Sequence, residues 1–242
     1  MQGYLSHQMR KELQDIAKNA AAIEAAKLIK SGMLIGLGTG STSHFFIEAL
    51  AKKYVDPSFK ISAVASSEKS AQLAKSLGIT LCHIDQIQKL DVTVDGADQI
   101  DSEMRMIKGG GGALLREKII ASASSTMIVI IDESKLVQNL CDYPVPVEVT
   151  PFGHLLTFAK IEQLGATPKF RQNEKISDLY VTDNGNYIID VTIPQRNLPK
   201  RNICEIERSL KEIPGVVETG FFFNLAKKVI IGYPDASTKS SL

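Results

Sequence analysis

Short aliphatic runs alternate with amphipathic stretches through the first half of the chain. Leu13, Ile16, Ala20 and Ile23 recur at helical spacing in the opening segment, behind some eight residues that read as an extension. "MLIGLG" then reads as a buried strand, "SHFFIEALAKKY" as a helix and "FKISAVAS" as a strand. "EKSAQLAKSLG" is a helix ending at Gly78, and "ITLCHI" a strand. "LDVTVDGAD" is a strand, "GALLREKIIASAS" a helix and "TMIVIIDES" a strand. Strands separated by helices pair in parallel and carry helices on both faces. The expectation is an α/β fold: a Rossmann-like, open, mostly parallel sheet.

The rhythm changes near residue 143. "PVPVEVT" reads as a strand, "PFGHLLTFAKIEQLG" as a helix, and "ATPKFRQ" and "YVTDNGNYIIDVTI" as strands, the second interrupted by the turn "DNGN". "NICEIERSLKEI" is a helix and "GVVETGFFF" a strand. Strand–helix–strand–strand–helix–strand is the order of a ferredoxin-like α+β unit. "KKVIIGYP" reads as a strand returning to the first sheet, and "DASTKSSL" as a disordered tail. The expected division is residues 1–143 with 220–242 as the larger domain and 144–219 as the smaller one.

Composition narrows the function classes. Net charge is +1 and no polybasic run occurs, so neither nucleic acid nor an anionic membrane is expected as a partner. The run "MIVII" is too short to span a bilayer. Cys82, Cys141 and Cys204 form no CxxC pair, and the four histidines are far apart. A cytoplasmic protein without metal or cofactor is the expectation.

The chemistry clusters at the carboxyl ends of the predicted strands, where open parallel sheets bind ligands. "GLGTGST" has glycines at 36, 38 and 40, followed by Ser41, Thr42 and a helix start. Such a loop is a phosphate site or a tight strand–helix turn. A dinucleotide site fits poorly, because the spacing is GxGxG and the next strand, "FKISAVASS", ends in serines and not in an acid that could hold a ribose. In "VDGAD", Val92 and Val94 point one way, Thr93 and Asp95 the other, and Gly96 turns the chain toward Asp98. The two acids suit Mg²⁺, sugar hydroxyls or loop capping. In "KGGGGALLREK", Lys108 opens a glycine run whose ordering is entropically costly. Glu117 lies about two turns into the next helix and reads alone as a solvated acid between Arg116 and Lys118. Beside a phosphate loop, two aspartates and two lysines (Lys135 of "DESK" is the second), it becomes a candidate base.

"GLGTGST", "VDGAD", "IKGGGGALLREK", "DESKLV" and "VTDNGN", in this order, resemble the A-type ribose-5-phosphate isomerases. The resemblance implies metal-independent interconversion of ribose 5-phosphate and ribulose 5-phosphate, and a homo-oligomer, dimer or tetramer. It implies substrate binding by Thr39, Gly40, Ser41 and Thr42, by Asp95, Gly96, Ala97 and Asp98, and by Lys108, Gly109, Gly110, Gly111 and Lys135. Glu117 corresponds to the proton acceptor, and Asp95, Asp98 and Lys108 join it in catalysis. Gln99 stands where the family usually has glutamate, which removes a local charge. The alternatives are a non-catalytic sugar-phosphate sensor, which needs no Glu117, and a dinucleotide-linked oxidoreductase.

Overall fold

The computed structural model describes residues 6–140, 143–173, 178–194 and 202–241. In chain order the elements are α1 (His7–Lys27), β1 (Leu34–Leu37), α2 (Ser41–Lys53), β2 (Ser62–Ala65), α3 (Glu68–Ser76), β3 (Leu90–Asp95), β4 (Gln99–Ile100) and β5 (Met106–Ile107). There follow α4 (Leu114–Ser122), β6 (Ser124–Asp132), β7 (Val145–Val149), α5 (His154–Gln163), β8 (Thr167–Phe170), β9 (Tyr187–Thr192) and α6 (Ile203–Lys211). The chain closes with β10 (Val216–Thr219), β11 (Phe221–Phe222), β12 (Ala226–Gly232) and β13 (Thr238–Ser241). Packing divides the chain into two units. One comprises the chain up to Ala97, Ile119–Leu136 and Asn224 onward; the other comprises Asp98–Lys118 and Val137–Phe223.

The first unit is a six-stranded sheet in the order β13-β12-β6-β3-β1-β2. All its pairings are parallel except β12 with β13. Ile35 and Leu37 of β1, Val92 and Val94 of β3, and Ile128 and Ile130 of β6 form one apolar face under α1 and α2. Ile120 of α4 lies against Gly36 on the other face, so helices cover both. The face that α1 buries is not the expected one. Ala17, Ala21, Ala22, Ala25 and Ala26 are buried, whereas Ile16 and Ile23 are 43% and 41% exposed. An alanine stripe lets the helix axis approach the sheet closely, which isoleucines at those positions would prevent.

The second unit holds a four-stranded antiparallel sheet in the order β10-β7-β9-β8. With α5 after β7 and α6 after β9, this is the ferredoxin-like arrangement expected from the element order. Val145, Val147 and Val149 alternate toward the core with Ile161 of α5 and Leu210 of α6. A small sheet, β11-β5-β4, belongs to the same unit. Residues 98–118 were expected with the large sheet, yet they pack here. Antiparallel pairing of β5 with β11 and a bond from the Lys108 N–H to the Gly220 carbonyl (2.9 Å) hold them.

Other expectations need correction. "ITLCHI" is no strand; it has one isolated bridge, Ala63 to Leu81, and then a 3₁₀ turn, Ile84–Gln86. The expected disordered tail contains β13, antiparallel to β12; Leu242 lies outside the described residues. "YVTDNGNYIIDVTI" forms a continuous strand only from Tyr187, and Val181 makes an isolated bridge. Cys141 and residues 1–5 of the expected extension lie outside the described residues. Among those residues no helix is long and apolar enough to cross a membrane.

Candidate active site

In the first unit the candidate residues stand at the carboxyl ends of β1, β3 and β6. Beyond β1 the chain passes through Gly38–Gly40 into α2. Asp95 ends β3 and is 1% exposed. Its Oδ1 accepts from the Thr39 N–H (3.0 Å), the Ser43 hydroxyl (3.0 Å) and the Gly96 N–H (2.8 Å). A Cβ at Gly38 would lie 1.9 Å from that same oxygen, so only glycine fits. Asp95 thus organises the loop that the sequence reads as a phosphate site or a tight strand–helix turn. The Thr39 hydroxyl adds a 2.7 Å bond to that of Ser66. Gly40 caps α2 at φ 104° without a side-chain cap bond, and Ser41 and Thr42 supply hydroxyls in the first turn. The N–H groups of a first helical turn attract anions.

At the end of β6, Asp132 accepts from the N–H and hydroxyl of Ser134 and caps the 3₁₀ turn Glu133–Lys135. Lys135 is half-buried there. Asp132 Oδ2 is buried without a hydrogen-bond partner among the described residues.

The second unit carries the remaining candidates. Lys108 Nζ lies 3.2 Å from Glu117 Oε2, and each side chain is only 3% exposed. Glu117 is in the first turn of α4, not two turns in, because the helix starts at Leu114. Its N–H bonds the Ala113 carbonyl at 2.9 Å. The solvated-acid reading is thereby overturned. Two charges taken out of water are costly, and removing either partner alone strands the other. Charged pairs of this kind cluster at functional sites.

The glycine run forms a tight loop. Gly109 and Gly112 have φ of 103° and 81°, which favours glycine. The Gly112 N–H bonds the Gly109 carbonyl at 2.9 Å, and the Gly110 N–H bonds Asp98 Oδ2 at 2.7 Å. The second carboxylate of "DGAD" therefore meets the loop directly. Gln99 is buried in β4.

Residues that went unnoticed in the sequence support this loop. Arg171 donates to the carbonyls of Gly109 (2.8 Å) and Gly110 (3.2 Å). The Tyr180 hydroxyl donates to the Gly111 carbonyl at 3.4 Å, and burial pushes its phenol pKa up. The buried Phe222 ring lies 5.3 Å from Lys108 Nζ and 4.8 Å from Lys118 Nζ. Lys118 also bonds Glu218 Oε1 (2.9 Å) and the Thr219 carbonyl (2.7 Å), while burial pulls its ammonium below the usual lysine range. The only sequence signals for these residues were an aromatic run, "FFF", and the turn "DNGN" near Tyr180. Among the described residues no group of three or more His, Cys, Asp or Glu is placed to hold a metal ion.

An open parallel sheet with a glycine–hydroxyl loop at its rim, joined in the same chain to a buried lysine–carboxylate pair, defines an α/β protein equipped for an anionic substrate and for proton transfer. Comparison with known proteins gives the family. The profile of ribose 5-phosphate isomerase A (phosphoriboisomerase A) matches residues 62–236. Ribose-5-phosphate isomerase A of Protochlamydia amoebophila is 50% identical over 223 residues, covering 92% of this chain and 94% of that protein. The solved ribose 5-phosphate isomerase A of Methanocaldococcus jannaschii superimposes with a TM-score of 0.86 at 35% identity, covering 93% of this chain and 97% of that one. A D-ribose-5-phosphate isomerase in complex with phospho-erythronic acid gives 0.87 at 38% identity, covering 94% and 98%. The chain belongs to the ribose 5-phosphate isomerase A family.

Proposed function

We propose that this chain interconverts D-ribose 5-phosphate and D-ribulose 5-phosphate, within the non-oxidative pentose phosphate pathway. The observation that carries the reading is the buried Lys108–Glu117 pair, in a chain of this family. Aldose–ketose isomerisation moves a proton between C2 and C1 through a cis-enediolate. One carboxylate can serve both carbons. Glu117 takes the C2 proton, the electron pair moves toward the C1 carbonyl, and the same carboxyl, whose proton can exchange with solvent, then protonates C1. A proton meanwhile passes from O2 to O1. Lys108 and the glycine-loop amides supply positive potential to the oxygen that gains charge. Asp98 and Asp95 are assigned to ring opening and to the hydroxyl protons, and Asp95 additionally shapes the loop through its three donors.

Thr39, Gly40, Ser41 and Thr42, with Lys135, are assigned to the phosphate. That group is remote from the reacting bond, so its binding energy positions the sugar. The relative bound to phospho-erythronic acid supports a phosphorylated sugar acid as a ligand here too. Phe152, Leu155 and Leu156 are 94%, 66% and 73% exposed, which supports a homo-oligomer burying them. Light scattering after gel filtration tests that. A cytoplasmic location accords with the metabolic role and with the absence, among the described residues, of a membrane-crossing helix.

The deciding experiment is a coupled assay for ribulose 5-phosphate formed from ribose 5-phosphate. Turnover supports the isomerase; tight binding of ribose 5-phosphate without turnover would instead identify a sensor.

A further inference from the structure

Arg171 follows β8 and holds two things at once. Its Nε donates to Asp190 Oδ2 on β9 (3.0 Å), and its Nη2 pairs with Asp190 Oδ1. Its Nη1 reaches the carbonyls of Gly109 (2.8 Å) and Gly110 (3.2 Å). The carboxylate orients the guanidinium plane, and the plane orients the loop.

The consequence follows from peptide geometry. In a trans peptide the N–H of a residue points opposite to the carbonyl before it. The described chain contains no cis peptide. Drawing the Gly109 carbonyl toward Arg171 therefore turns the Gly110 N–H away from it, and that N–H lands on Asp98 Oδ2 at 2.7 Å. Drawing the Gly110 carbonyl the same way turns the Gly111 N–H away in turn. Gly111 is exposed, and its N–H has no hydrogen-bond partner among the described residues. The Tyr180 hydroxyl on the next carbonyl, that of Gly111, adds a further restraint. Without these anchors a run of four glycines has many backbone conformations, and few aim that donor in one direction.

We propose that Arg171 is a positioning residue for the isomerisation: by gripping the Gly109 and Gly110 carbonyls it aims the Gly111 N–H at the oxygen that becomes negative in the enediolate. The proposal rests on the isomerase reading above. It also assigns distinct tasks within the loop: Gly110 donates to Asp98, and Gly111 donates to the substrate. Preorganised donors of this kind act mainly on the transition state, because they need not reorient as charge develops.

The test compares Arg171→Met and Arg171→Lys with the parent, using ribose 5-phosphate as substrate and phospho-erythronic acid, whose planar carboxylate carries the negative charge, as a competing ligand. Losing an oxyanion donor outright costs about 10²–10³ in kcat, and misaiming one should cost at least about 10-fold. The expected result is that fall in kcat, a KM within about threefold of the parent, and binding of the competing ligand weakened in step with kcat. Arg171→Lys should be nearly as impaired as Arg171→Met, since an ammonium cannot hold Asp190 and two carbonyls in one plane. A merely structural role would lower the melting temperature and leave kcat per folded site and affinity for the competing ligand unchanged, which would overturn the proposal. So would an Arg171→Lys protein with parental kcat. If Arg171→Met does not fold, the lysine variant decides alone. An inactive parent would sink the isomerase reading itself, a failure distinct from these.

Discussion

Lys108 Nζ and Glu117 Oε2 lie 3.2 Å apart, in side chains that are each 3% exposed. The two are nine positions apart in sequence, and the glycine run folds the chain back so that they meet. In the proposed mechanism the carboxylate is the base, and the ammonium beside it stabilises the substrate oxygen that gains charge.

Glu117→Gln keeps the shape and removes the base. We expect kcat to fall by roughly 10²–10⁴-fold, the usual worth of a positioned acid–base group, with a small change in KM. The variant should also lose exchange of the substrate C2 hydrogen with solvent, followed by NMR in D₂O. Retention of more than a tenth of parental kcat would move the base to Asp95 or Asp98.

Exhaustive chelation should leave activity intact. The proposed chemistry assigns the stabilisation of negative charge to Lys108 and to loop amides. Activity lost in EDTA and restored by Mg²⁺ or Mn²⁺ would recast Asp95 and Asp98 as ligands.

Replacing Ser41 and Thr42 together by alanine should chiefly raise KM for ribose 5-phosphate, since phosphate contacts persist in ground and transition states alike. Steady-state kinetics unchanged from the parent would place the phosphate elsewhere.

Gly38→Ala should damage the loop far more than its size suggests. The added methyl would sit 1.9 Å from Asp95 Oδ1, an oxygen that already accepts three hydrogen bonds. Either the carboxylate or the loop backbone must move. We expect a loss of substrate affinity and a lower melting temperature, read by kinetics and differential scanning fluorimetry. Parental values for both would show the loop to be more pliant than this packing implies.

Glu218 carries a pH signature. Burial raises its carboxyl pKa, but Lys118, the Thr219 N–H and Lys211 outweigh that and hold it below the ordinary glutamate range. A folded-state pKa below the unfolded one adds stability above the unfolded value, and that stability is lost as pH falls through the folded value. Glu218→Gln should therefore be less stable than the parent at neutral pH, the more so because Lys118 loses its carboxylate. The gap in melting temperature should narrow as pH drops below the ordinary Glu value of about 4.3. A gap independent of pH would show that the loss is one of packing.

Much of this protein was legible in one dimension. The alternation of Val92 and Val94 with Thr93 and Asp95 gave β3 its two faces, because side chains on a strand change sides at every residue. The ferredoxin-like order followed from the switch between helical and strand periodicity after residue 143. The glycine clusters announced the two loops. The short strands Gln99–Ile100 and Met106–Ile107 were not legible, since two residues show no period and only pairing defines them; nor was the break that divides "GVVETGFFF" into Val216–Thr219 and Phe221–Phe222, which pair with different strands. The buried face of α1 was misread, because an alanine stripe is weakly hydrophobic and buries itself only when a sheet is there to approach. Glu117 stands between Arg116 and Lys118, where local sequence says solvent; tertiary packing placed it beside Lys108 and out of water. Arg171 acts on a carbonyl 62 residues earlier in the chain. Periodicity and turn chemistry act over a few neighbouring residues, so they determined which elements form and where the loops lie. Which charges lose their water, and which donors aim the glycine loop, was decided only when distant segments packed.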